Sequence, residues 1–154
     1  MNWEAIGAIA ELLGSVAVLG TLVYLAMQIR QNTKFIKAST YRDAIGDFSN
    51  NIEQLNQDAD LNRIWYEGMK DFDSLPKLDQ QRFATYCTGF VRRYENVLFQ
   101  VRVGVLEFDA IRGMEEHMRF AFSQPGTRRW WSRADNLFNA ELRDHVENHL
   151  IGGS

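Results

Sequence analysis

His145 and His149 stand four residues apart in the string His145-Val146-Glu147-Asn148-His149, a spacing that sets both imidazoles on one face of a helix, where they can share a metal ion. The string is HVENH and not the HExxH of zinc proteases, and Glu147, two residues from each histidine, points away from their face. Asp144 is also nearby, but no third ligand can be named for the pair, so the expectation is a solvated helix end with no metal and no cofactor. His117 beside Glu115 and Glu116 offers an acid or a base, but three titratable residues on a polar face do not define a site. Cys87 is the single cysteine; it lies on an apolar face and is expected to pack rather than to react. The glycines form neither GxGxxG nor GxxxxGK[ST], and no nucleophile stands with a base. No catalytic motif emerges, and the chain is expected not to be an enzyme.

Glu11 is the other candidate, because of what surrounds it. From Ile6 to Ile29 it is the one ionisable acid or base, and a helix from Ala5 to Ile29 would be roughly 37 Å long, enough to cross a hydrocarbon core of about 30 Å. The charge-free run, Leu12 to Met27, is 16 residues, a little under the usual threshold of about 18. Residues 1 to 29 contain no Lys or Arg, whereas Arg30, Lys34, Lys37 and Arg42 all precede the next acid, Asp43. A signal peptide would have a basic n-region, so an uncleaved anchor is expected, with the N-terminus outside and the C-terminal domain cytoplasmic. Trp3 and Tyr24 stand near the two ends, where amphipathic rings favour the membrane interface.

Positions seven apart in this stretch give Gly7, Gly14, Thr21 and Gln28, interleaved with Ala10, Ala17 and Tyr24. Small residues let helix backbones approach closely in lipid, so Gly7, Ala10, Gly14, Ala17 and Thr21 read as a self-association seam. Glu11, Ser15 and Gln28 beside it would line a cation-conducting pore if the helices formed a ring, since rings of carboxylates select cations. The remaining alternative is a soluble chain that buries this helix in its core.

The elements that would position these residues are all helical. Tyr41, Ile45, Phe48, Ile52 and Leu55 extend the first helix past Arg30, with a kink possible near Asn32 and Thr33. A short helix follows over DLNRIWYEGMKDF, with Asp58 or Asp60 as its cap, and the longest soluble helix runs from about Lys77 to Val103 as the centre of a bundle. Glu107 to Phe122 is the next, with Phe108, Ile111, Met114, Met118 and Ala121 inward, and Thr127 to Leu150 the last. Arg92 and Glu95 are expected to pair on the flank of the long helix. Of Trp130 and Trp131, 100° apart on a helix, one is expected to lie against a neighbouring helix, a loop or a partner subunit. The fold class is all-α: a single transmembrane helix (1–29), a bundle of about four to five helices (30–150) and a disordered tail (151–154).

The formal net charge is −3 in 154 residues, which leaves no basic field for nucleic acid. The opening W-x-A-I-G-A-I-A-E-L-L-G, continued by L-V-Y-L-A-M-Q-I-R-Q-N-T and by the later P-G-T-R-R-W-W, resembles a group of small bacterial proteins of unknown function that begin with a membrane helix. That resemblance implies a bacterial inner membrane and carries over no catalytic residue. The expected function is a membrane-anchored, self-associating scaffold, with lipid, further copies of the chain and an unidentified protein as partners.

Overall fold

The computed structural model describes residues 2–152, all-α, in two compact units that divide after Ser39. Helix α1 (Trp3–Gln57) supplies the first unit and opens the second. No proline precedes Pro76. Ser15, Thr21 and Thr33 return their hydroxyls to the carbonyls of Glu11, Ala17 and Ile29 at 2.9 Å each, so these polar groups are satisfied within the helix. Asn32 and Thr33 continue the helix.

In the second unit, α2 (Ala59–Lys70) starts where the Asp58 carboxylate accepts the amides of Asp60 and Leu61 at 3.0 Å each. A 3-10 turn, Phe72–Ser74, leads through Pro76 into α3 (Lys77–Arg102). Helix α3 ends at Val103, with Gly104 at φ +75°, the left-handed step that glycine takes without strain. Helices α4 (Arg112–Ser123), α5 (Pro125–Ala134) and α6 (Ala140–His145) complete the unit, and a π-helical segment, Val146–Ile151, prolongs α6.

Helix α3 is the centre of the bundle, burying Phe83, Cys87, Phe90, Val91, Tyr94 and Val97. Trp65 of α2 stacks on Phe83 at 5.7 Å and meets Phe90 edge-on at 6.1 Å. Gly68 and Gly126 set the spacing of α2 and α5: a Cβ on Gly126 would run into the Gly68 carbonyl oxygen and lie 2.7 Å from that of Met69. Phe48 and Leu55 of α1 pack against this core, half-buried. A smaller cluster, Val97, Leu106, Ile111 and Met114, lies beside Ala44 and Ile45.

Two expectations change. The helix expected from Glu107 begins as a 3-10 turn, Phe108–Ile111, and Phe108 is exposed while Ile111, Met114, Met118 and Ala121 are buried. The last helix is not continuous: a 3-10 turn, Asp135–Leu137, and an extended Phe138 interrupt it, and Asn139 caps α6 by accepting from the Leu142 amide at 2.8 Å. Partners from α3 replace the lost helical hydrogen bonds, since Arg92 donates to the Leu137 carbonyl and Glu95 accepts the Asn139 amide at 3.1 Å. Arg92 also pairs with Glu95 at 2.6 Å, as expected from their spacing.

Both tryptophans are buried. Helix α5 packs on α2 and the 72–74 turn as well as on α4, so it has two buried directions instead of one. Trp131 meets Phe122 edge-on at 5.3 Å and stacks on Phe138 at 5.2 Å. Of the expected tail, Ile151 ends the last helical segment half-buried against the core, and residues 153–154 lie outside the described residues.

Candidate functional site

Three helices each bring one polar side chain to a common buried point: Tyr94 from α3, Glu115 from α4 and His145 from α6. The Tyr94 hydroxyl donates to Glu115 Oε2, and His145 Nε2 lies 3.0 Å from that hydroxyl and 3.1 Å from the same carboxylate oxygen. Tyr94 has one hydroxyl proton and Glu115 takes it, so the arrangement is satisfied when Nε2 carries hydrogen and donates. Arg119 Nη2 stands 3.4 Å from the other carboxylate oxygen. Tyr94 and Glu115 are 1% and 4% exposed. The residue types are those of acid–base chemistry, and their polar atoms are taken up by one another, so the cluster ties three helices together.

The metal candidates are therefore divided. His145 is committed to Tyr94 and Glu115, while the His149 ring lies 5.0 Å from the His145 ring, centre to centre. Among the described residues no three His, Cys, Asp or Glu side chains converge on a metal-sized point. His117 does not share a face with Glu115 and Glu116: Glu115 is buried, Glu116 is exposed, and His117 sits half-buried, edge-on to Phe48 at 5.3 Å and Phe90 at 5.7 Å. Burial pushes the His117 pKa below its ordinary 6.5. Burial likewise holds the Cys87 thiol well above its usual range, which suits packing and not nucleophilic attack.

A wider space lies elsewhere on the second unit. An open groove of about 540 Å³ runs between α1, α2 and α3, with Asn51, Leu61, Leu78, Tyr86 and Arg93 among its lining. Tyr86 donates its hydroxyl to the Asn51 carbonyl at 2.9 Å, which fixes α1 to α3 at the groove, and burial pushes its pKa up to about 12. Asn51 is 1% exposed and its side-chain Nδ2 has no hydrogen-bond partner among the described residues. An unsatisfied buried donor costs about 1–3 kcal/mol. Sequence reasoning passed over Asn51 because Ile52 completed the apolar stripe, yet 48, 51 and 55 are as helical a spacing as 48, 52 and 55.

Comparison of the chain with protein-family models, with curated proteins and with solved structures gave no match.

The first unit holds the candidates of the apolar stretch. An 18-residue window within Ile6–Gln57 has mean hydropathy 2.0, and none of that window is buried. Leu12, Val16, Leu19 and Val23 are all more than half exposed. Along the seam, a Cβ at Gly7 or Gly14 would meet nothing within 4 Å, so the space beside the seam is open. Ala10, Ala17 and Thr21 are exposed with it. Glu11, Ser15, Arg30, Lys34 and Lys37 are exposed too. Gln28, half-buried, donates to the Tyr24 hydroxyl at 3.2 Å. Arg42 stands 4.0 Å from Asp43.

Proposed function

We propose that this chain is a membrane-anchored, self-associating interaction protein. In this reading residues 6–29 of α1 span the bilayer, Arg30, Lys34, Lys37 and Arg42 meet the cytoplasmic headgroups, and the second unit works in the cytoplasm without catalysis. The observation that carries it is the exposure of the apolar window. Soluble monomers rarely leave contiguous apolar patches of more than a few hundred Å² to water, and a helix apolar on every side is at home in lipid. The internal hydrogen bonds of Ser15 and Thr21 support the same reading, because lipid supplies no partner for a hydroxyl. The opening motif's resemblance favours the inner membrane of a bacterium.

Self-association is supported by the open seam at Gly7 and Gly14, where a second helix could approach to backbone contact. The test is the mass of the full chain in mild detergent, for the native sequence and for Gly14→Leu. The reading expects an oligomer that Gly14→Leu weakens. A chain soluble without detergent removes the anchor, and an oligomer unchanged by Gly14→Leu removes the seam. A ring instead of a dimer would favour the pore, with Glu11 at its lining and Glu11→Gln expected to lower cation conductance.

A further inference from the structure

The groove between α1, α2 and α3 has the features of a small-molecule site. Its volume, about 540 Å³, falls in the usual range for such sites, roughly 300 to 1,000 Å³. Leu61 and Leu78 supply apolar wall, and the lining holds two arginines, Arg82 and Arg93, with no acid. Arg82 is already engaged by Asp58 and Asp60. Arg93 is different: its Nη1 donates to the Gly89 carbonyl at 3.0 Å, and it forms no ion pair among the described residues. Gly89 leaves it that position, since a Cβ there would stand 3.3 Å from Nη1. Asn51 borders the groove too, 1% exposed, with its backbone carbonyl accepting from Tyr86.

We propose that this groove binds a small carboxylic acid with an apolar body, its carboxylate held by Arg93 and its body along Leu61 and Leu78. A guanidinium fork matches the two oxygens of a carboxylate, and the leftover N–H groups of Arg93 provide it. The carboxylates near the groove, Asp58 and Asp60, are both paired with Arg82, and Arg93 is the arginine of the lining left for an anion. The groove lies wholly in the second unit, so the inference is independent of whether α1 spans a membrane.

The test is a fluorine NMR titration of para-trifluoromethylbenzoate against the full chain in lipid nanodiscs, with empty nanodiscs as the blank and the matching carboxamide as the uncharged control. The proposal expects saturable binding, one molecule per chain, and binding of the carboxamide weaker by about tenfold or more. Arg93→Gln should weaken the benzoate by a similar factor. Gln54→Glu, an exposed change at the groove, should weaken it as well by adding a like charge, with no demand on folding. No saturable binding above the blank, equal binding of benzoate and carboxamide, or binding indifferent to Arg93→Gln would overturn it.

Discussion

Gly126 of α5 presses its backbone against the carbonyl of Gly68 in α2, so closely that neither helix could accept a methyl group at Gly126 without moving. On the other side of Gly68, a Cβ would meet the Phe83 ring, with Cε2 at 2.6 Å. A backbone neighbour cannot turn aside as a flexible side chain can. Gly126→Ala is therefore expected to destabilise the second unit by about 1–3 kcal/mol or more, the usual cost of overpacking, with a lower midpoint in denaturant. An unchanged midpoint would mean that the two helices are not in contact there.

The Tyr94–Glu115–His145 cluster makes a sharper prediction because its members share one oxygen, Oε2 of Glu115. Glu115→Leu strands the Tyr94 hydroxyl and the His145 Nε2 hydrogen in the interior, at about 1–3 kcal/mol for each donor left unsatisfied. Tyr94→Phe leaves Glu115 and His145 paired and should cost less. In the double variant the stranded hydroxyl is gone, so its loss should be smaller than the sum of the single losses. Strict additivity in denaturant unfolding would show that the three residues do not act as one network.

His117 ties stability to pH. Its folded-state pKa lies below the 6.5 of a solvated imidazole because burial against Phe48 and Phe90 disfavours the charged ring. Below pH 6.5 the unfolded chain takes up that proton more readily than the folded one, so the stabilisation present above 6.5 is lost as pH falls toward the folded-state value. His117→Phe should flatten that part of the melting-temperature profile. A profile of the same slope in the variant would assign the pH dependence to another group.

Much of this fold is legible in the pattern of apolar residues. The stripe from Phe83 to Val97 identifies the central helix, Pro76 and Gly104 mark its own ends, and Asp58 and Pro125 mark the starts of its neighbours through local backbone chemistry. The break at residues 135–139 is not legible that way, because no glycine or proline makes it. It depends on Arg92 and Glu95, which reach from another helix to satisfy Leu137 and Asn139. The polar groups of the interior follow the same rule. Glu115 shares a buried face with Ile111 and Met118, and half-buried His145 stands one turn after buried Leu142, so each lies in or beside an apolar row. A hydroxyl, an acid and a base placed singly on three apolar faces was the available signal that they meet. Asn51 carried the same kind of signal, one polar residue between Phe48 and Leu55.

The central claim is that residues 6–29 lie in a membrane, and alkaline carbonate extraction of membranes from cells expressing the full chain tests it most directly. Carbonate strips proteins held at the surface by charge and leaves those that span the bilayer. The account predicts that the chain stays in the membrane pellet and moves to the soluble fraction only with detergent. Leu19→Arg, a charge at an exposed position near the middle of residues 6–29, is expected to shift the chain out of the pellet. A native chain found in the carbonate supernatant, or in the cytosol without any detergent, would contradict it.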